Sequence, residues 1–326
     1  AVVNSKNKYV VSAFYRFFAL PESDLEPIQK ALVKKGEELN LRGLLLLGVE
    51  GVNSTLSGYE ENVNEFKSFL LKILNLNDLT FKDSWAEEHV FRRWKVKIRS
   101  EIVTIGDQSL VPKSEKNHHL SPAQWNEYLK KEDVVVLDTR NFYETEMGTF
   151  KNAIDPKISD FQQFGPFVKN SEIKKDQEIL IFCTGGIRCE KAILELDQQG
   201  YKNVHQLDGG ILNYLKEFPN DQYDGECFVF DHRVGLDQNL KPSQKYQLCP
   251  HCGNPGDQLI ECIQCRTDEY VCQTCLAKES EIPSVKTCSK NCAYHFKKGH
   301  KSKKNHIDGS IKRSRKSLAD IGTEGK

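Results

Sequence analysis

The chain has 326 residues, enough for two or three domains, with apolar and aromatic content sufficient for packed cores. No apolar run approaches the ~20 residues that a membrane span requires, and the amino terminus lacks a basic region followed by a long apolar stretch. No membrane partner is therefore expected, and the cytoplasm is the expected compartment. The formal charge of zero hides an asymmetry: after Phe296 ten Lys or Arg stand against three Asp or Glu, leaving 36 basic and 43 acidic residues before it.

Residues 1–112 read as one unit. Tyr9 to Phe18 is a strand, and Ser23 to Leu39 an amphipathic helix with Ser23 as candidate cap. Arg42 to Val49 and Val52 to Leu56 are strands around Glu50-Gly51. Glu60 to Leu74 is a second helix, with Val63, Phe66, Phe69, Leu70 and Ile73 at helical spacing, and a final strand follows. This β-α-β-β-α-β order predicts a ferredoxin-like sandwich, a fold that by itself says little about activity. In Arg92 to Arg99, Trp94, Val96 and Ile98 alternate with Arg93, Lys95, Lys97 and Arg99. If the apolar face packs on the core, four positive charges form an exposed stripe with ~6.8 Å between alternate residues. Such a row is either an ordinary solvated face or a path for a nucleic-acid strand.

Pro112 to His119 is polar and reads as a linker into residues 113–225. Ser121-Pro122 is an N-cap and N1 pair opening a helix through Lys131. Val134 to Leu137 is a strand that ends in the polar turn Asp138-Thr139-Arg140-Asn141. Arg140 is a candidate substrate contact, whereas Asp138 is better suited to brace its own turn.

Glu178 to Phe182 is a buried strand, and Arg188 to Gln199 a helix ended by Gly200. Between them lies Cys183-Thr184-Gly185-Gly186-Ile187. Two glycines let successive N–H groups point inward at one spot, and the new helix adds its positive end. A thiolate or persulfide on Cys183 is stabilised in such a cradle, with its pKa lowered, and Arg188 adds a fixed positive charge. The competing reading is a buried structural cysteine beside a Gly-Gly turn. Cys189, in the first helical turn, either resolves a persulfide or disulfide on Cys183 or packs against the sheet. Cys227 stands alone and reads as structural.

Of the nine cysteines in residues 226–296, eight fall in four close pairs: Cys249/Cys252, Cys262/Cys265, Cys272/Cys275 and Cys288/Cys292. Their C-x-x-C and C-x-x-x-C spacings let each pair grip one face of a tetrahedral ion, so two structural zinc ions are expected. Iron–sulfur or metal-free thiols are the alternatives, and spacing leaves sequential or interleaved pairing open. His251, His295 and His300 lie close enough to replace a thiol ligand. The segment is too short and polar for a good core, so metal would supply much of its folding energy. Residues 297–326 form a basic tail, with Lys297, Lys298, Lys301, Lys303, Lys304, Lys312, Arg313, Arg315 and Lys316; it is expected to be flexible and able to hold phosphates.

The cysteine loop, the Asp138 turn, Glu144, Gly148 to Ala153 and Asp208-Gly209-Gly210-Ile211 together resemble the rhodanese family. This implies a doubly wound parallel sheet with Cys183 at the carboxyl end of a central strand, and a persulfide on it during turnover. Related phosphatases use a loop one residue longer to fit a tetrahedral phosphate. The four residues between Cys183 and Arg188 favour sulfur. With Glu50-Gly51-Val52-Asn53, Lys95-Val96-Lys97, Glu101-Ile102-Val103 and Cys183 to Lys191, the chain resembles the bacterial tRNA uridine(34) hydroxylases nearly throughout, to about Cys292. That family implies an acylphosphatase-like first domain and oxygen-dependent conversion of a tRNA wobble uridine to 5-hydroxyuridine. Ser54 departs from the family pattern, which has glycine there; a positive φ at that position would strain the turn after Glu50.

The residues alone do not give hydroxylation. No two-histidine, one-carboxylate iron site and no nucleotide-cofactor fingerprint is recognised; molecular oxygen as co-substrate enters only through the resemblance, and a sulfur- or electron-donor protein is a candidate partner. A rhodanese-type sulfurtransferase and a noncatalytic RNA- or protein-binding module are the alternative functions.

Overall fold

The computed structural model describes residues 9–113 and 118–300. Lys301, Lys303, Lys304, Lys312, Arg313, Arg315 and Lys316 of the expected basic tail lie outside the described residues. Two compact units result, one running to Cys227 with Asp237–Lys241, the other comprising Phe228–Leu236 and the chain from Pro242. Among the described residues no helix is long and apolar enough to cross a membrane.

The first unit opens with β1 (Tyr9–Phe17), α1 (Glu22–Glu38), β2 (Arg42–Gly48), β3 (Gly51–Tyr59), α2 (Glu60–Ile73), β4 (Lys82–Ala86) and β5 (Trp94–Ile98). The sheet order is β4-β1-β3-β2-β5, antiparallel except for β5 beside β2. Alternation along the strands buries Val10, Phe14, Leu45, Leu47, Val52 and Leu56 against Leu25, Leu32, Val63, Phe66 and Leu70 of the two helices. This is the expected acylphosphatase-like sandwich with one strand more than the ferredoxin order requires: β4 is its fourth strand, and the basic strand β5 extends the edge. Two local expectations are corrected. Pro21, not Ser23, occupies the N-cap of α1. Ser54 lies within β3 opposite Phe14 and Leu45, outside the positive-φ residues, and its hydroxyl donates to the Leu44 carbonyl at 3.0 Å. Its extended backbone places no demand for glycine there.

The same unit continues with β6 (His119–Leu120), α3 (Pro122–Tyr128), β7 (Val135–Asp138), α4 (Phe142–Thr145), β8 (Gly148–Phe150), α5 (Phe164–Lys169), β9 (Ile179–Phe182), α6 (Ile187–Gln198), β10 (Val204–Leu207), α7 (Gly210–Glu217) and β11 (Tyr223–Gly225). Strands β6, β10, β9 and β7 form a wholly parallel sheet in that order. Because successive residues of a strand face opposite ways, Ile179 and Ile181 pack with Phe164, Val168, Ala192 and Leu196 of α5 and α6. Leu180 and Phe182 pack with Trp125, Ile211 and Tyr214 of α3 and α7. Helices thus cover both faces, as the rhodanese resemblance predicts. Cys183 follows β9, which lies between β7 and β10, and so sits at the carboxyl edge where ligands of open parallel sheets bind.

Among its described residues the second unit contains short two-stranded ribbons, two short helices and the eight paired cysteines. Its apolar cluster is small: Ile260 and Val271 pack with Cys249 and Cys272.

Candidate functional site

The chain turns from β9 into α6 through Gly186, whose φ of 99° lies in the left-handed region. That conformation suits glycine and aims the Gly186 N–H at Cys183 Sγ, 3.0 Å away. Cys183 is buried at the floor, while Thr184, Gly185 and Ile187 form a half-exposed rim. Burial pushes the Cys183 pKa up, but hydrogen bonds from the Cys189 thiol and from the Cys189 and Arg188 N–H groups, with the Arg188 charge, outweigh it and bring it down to about 5. Burial and the neighbouring Cys183 sulfur hold the Cys189 thiol well above its ordinary value. The pair is therefore one thiolate and one neutral donor. Cys189 also lies 3.8 Å from the Thr139 hydroxyl.

Arg188 and Glu144 form a fork-to-fork pair, with Nη1–Oε2 at 2.6 Å and Nη2–Oε1 at 2.7 Å. Glu144 is fully buried and also accepts from the Asn141 N–H at 3.1 Å, so α4 is anchored to the reactive loop. The Thr184 hydroxyl donates to the same carboxylate at 3.4 Å. Arg140 is fully buried too. Its guanidinium grips Asp138 at 2.9 and 2.7 Å and donates to the Gly148 carbonyl at 2.6 Å. That is the position of a brace rather than a substrate contact. A second glycine turn backs the loop: Ile211 and Leu212 N–H groups donate to the Cys183 and Thr184 carbonyls at 3.0 and 3.1 Å. A Cβ on Gly210 would stand 2.5 Å from the Cys183 oxygen, so only glycine allows this approach.

The first domain and strand β6 supply groups that the sequence reading did not assign to the site. Tyr15 of β1 donates to Glu190 Oε1 at 3.0 Å, and His119 Nε2 lies 3.0 Å from the same oxygen. Burial, reinforced by Glu190 and Cys183, raises the Tyr15 pKa well above normal, so its hydroxyl stays protonated. Lys82 of β4 donates to the Gly185 carbonyl. Deeper in, Lys191 of α6 is completely buried between Glu50, at 2.9 Å, and Glu101, at 2.7 Å. Two carboxylates against one ammonium leave one negative charge in excess. N–H groups of Ile102, Ile105 and Gly106 offset it, at 2.6, 3.1 and 3.2 Å. These partners lie 90 or more residues from Lys191 in sequence, which is why a single chain read alone did not pair them. Each is singled out in the sequence only as part of a separate segment that carries the family resemblance.

Three family models match in order: a UPF0176 acylphosphatase like domain over residues 9–102, a rhodanese-like domain over 121–217 and a rhodanase C-terminal over 224–293. A tRNA uridine(34) hydroxylase of Bdellovibrio bacteriovorus is 50% identical over 319 residues, covering 97% of this chain and 90% of that protein. The chain belongs to the tRNA uridine(34) hydroxylase family. Similar hydroxylases of Legionella pneumophila strain Paris (42% identity; 71% of this chain, 91% of that one) and of a Synechocystis species (41%; 76% and 89%) agree with that membership.

For a member of a tRNA uridine(34) hydroxylase family, the basic strand matters. Arg93 and Arg99 are exposed at the ends of β5, and Lys95 and Lys97 are half-buried along it, so the stripe is less open than expected. Trp94, on the opposite face, packs edge-on against Phe66 with ring centres 5.3 Å apart. Strand register links the stripe to the reactive loop. Lys82, Ala13, Thr55, Leu44 and Lys95 stand opposite one another in a single cross-strand row, spanning about 19 Å at the usual strand spacing.

In the second unit the cysteine pairs interleave. Cys249, Cys252, Cys272 and Cys275 form one group, and Cys262, Cys265, Cys288 and Cys292 the other, each with its sulfurs within 4.8 Å of one another. Separations of 3.4 Å for Cys252–Cys272 and 3.5 Å for Cys265–Cys288 approach the roughly 3.7 Å edge of a tetrahedron with 2.3 Å metal–sulfur bonds. Both groups could hold a metal ion, and the donor set fits one that prefers thiolate. The nearby histidines stand outside these groups: His251 contacts the Thr287 carbonyl at 2.9 Å, and His295 and His300 face each other at 3.0 Å. Cys227, in the first unit, packs among Phe150 and Tyr223, and burial pushes its thiol up to about 12.

Proposed function

We propose that this protein hydroxylates the wobble uridine of tRNA at C5, with Cys183 as the reactive sulfur. The observation that carries the reading is the buried Cys183 sulfur in a glycine cradle, 3.0 Å from the Gly186 N–H, in a chain of this family. The sulfur, as thiolate or persulfide, adds to C6 of the uracil ring. The electron pair displaced toward C5 and O4 makes C5 the carbon that reacts with an oxygen species, and proton loss from C5 with release of sulfur from C6 restores the ring. Molecular oxygen is the co-substrate. One atom enters the base, and two electrons and two protons from a donor protein reduce the other to water. Cradle N–H groups stabilise the sulfur anion, and with Arg188 they provide the positive field for developing enolate charge. Asp138 and Arg140 hold the neighbouring turn, and Cys189 acts as the neutral thiol donor to Cys183.

Arg93, Lys95, Lys97 and Arg99, joined to the loop by the Lys82–Lys95 row, are the proposed track for the tRNA backbone, and such a substrate places the work in the cytoplasm. Structural zinc in both four-cysteine groups belongs to the same reading, as does division of the chain at residues 112, 225 and 296. Zinc there supplies folding energy and no reaction step.

Nucleoside mass spectrometry of tRNA from aerobic cells with and without the protein tests this. Expected is a gain of one oxygen at a wobble uridine, absent from cells carrying Cys183→Ser. Unchanged oxygenation with that variant contradicts the role of Cys183. The four-residue loop also suits plain sulfur transfer. Rapid thiocyanate formation from thiosulfate and cyanide, with no change in tRNA, would favour that second reading.

A further inference from the structure

The peptide bond between Gly185 and Gly186 is held at both ends. Its N–H, on Gly186, donates to Cys183 Sγ at 3.0 Å, and its oxygen, on Gly185, accepts from the ammonium of Lys82. In a trans peptide these two groups point in opposite directions, so fixing the oxygen fixes where the N–H aims. With glycine on both sides, rotation of this peptide away from the sulfur meets little steric resistance. A charge-assisted bond, roughly twice as strong as a neutral one, resists that rotation. It also polarises the amide, because linked hydrogen bonds strengthen one another.

Lys82 itself is well placed. Its Nζ lies 5.1 Å from the centre of the Tyr15 ring, a cation–π distance, and the Tyr15 hydroxyl is tied to Glu190 on α6. A Cβ on Gly186 would come within 3.0 Å of that hydroxyl, so Tyr15 stands directly against the loop.

We propose that Lys82 is a positioning residue for the Cys183 centre, orienting and polarising the Gly185–Gly186 peptide so that the cradle is complete only with the N-terminal sandwich in place. This rests on the reading of Cys183 as the reactive sulfur. The other charged or titratable groups around that sulfur are Arg188 with Glu144, Cys189, and Glu190 with Tyr15 and His119. All of them remain in a Lys82 variant.

The test is the rate of Cys183 alkylation by iodoacetamide against pH in the full chain, read by mass spectrometry of the Cys183 peptide. Lys82→Met is expected to raise the midpoint by about one unit, the range that loss of one charged neighbour gives. Lys82→Arg keeps the cation and is expected to restore the wild-type profile. Should Lys82→Met fail to fold by circular dichroism, Lys82→Gln, a neutral donor, carries the test with a smaller upward shift. A folded Lys82→Met or Lys82→Gln protein with the wild-type midpoint overturns the proposal. A wild-type midpoint near that of an ordinary thiol would instead overturn the underlying reading of Cys183, so the two failures are distinguishable.

Discussion

The two units use the same residue type in opposite ways. In the first, Cys183 is a single thiolate whose charge is met by N–H groups, a thiol donor and the field of Arg188, inside a domain already packed around Ile181, Phe182, Trp125 and Leu196. In the second, eight cysteines come in pairs, and the apolar cluster beneath them has little beyond Ile260 and Val271. Each fully buried side chain of that size contributes about 1.5–3 kcal/mol, too little to order such a segment against its chain entropy. A cysteine placed on a finished fold is available for chemistry. Cysteines gathered in fours beside so small a core could hold metal.

The sharpest way to break this comparison is to exchange the outcomes. Cys183→Ser should abolish tRNA hydroxylation, a loss of at least about a hundredfold, while metal content stays at two ions per chain by elemental analysis. Conversely, removing metal with a strong chelator should unfold the second unit, seen as lost amide protection across Gln247–Lys297, and leave Cys183 alkylation unchanged. Protection that survives full metal loss would contradict the division of labour.

A smaller effect is expected within the first unit. Lys191→Met strands two buried carboxylates and should cost about 3–5 kcal/mol in denaturant unfolding. Metal content should not change. A loss under 1 kcal/mol would mean that Glu50 and Glu101 are satisfied without the ammonium.

A further effect is on pH dependence. The Cys189 and Arg188 groups around Cys183 bring its thiol down to about 5 from an ordinary value of 9.0, so between those limits the unfolded state is expected to hold more protons. The thiolate's contribution to stability is therefore full above about pH 9, falls through this window and is gone below about pH 5. Comparison of wild type with Cys183→Ser in denaturant at pH 5.5 and 8 should show the gap widening at the higher pH.

Much of this contrast was legible in the sequence because it is local. The strand Ile179–Phe182, the glycine turn and the helix from Ile187 follow one another without a break, so apolar run, turn chemistry and helix start all point the same way. Close cysteine pairs announce themselves by spacing, yet their interleaving depends on how the ribbons pair and could not be read. Non-local partners were equally invisible. Nothing near Lys82 marks it as a neighbour of Gly185, and Arg140 reads in the sequence as a candidate substrate contact, whereas the structure buries it against Asp138. The basic strand was read correctly in alternation, but its place at the sheet edge, beside β2, depended on β4 taking the fourth position.

The most direct test of the central claim, a protein-stabilised sulfur anion at Cys183, is the pH profile of its alkylation in the intact wild-type chain. A half-maximal rate near pH 5, flat from pH 7 upward, is predicted. A midpoint between about 8 and 9, where an unassisted thiol titrates, would contradict it.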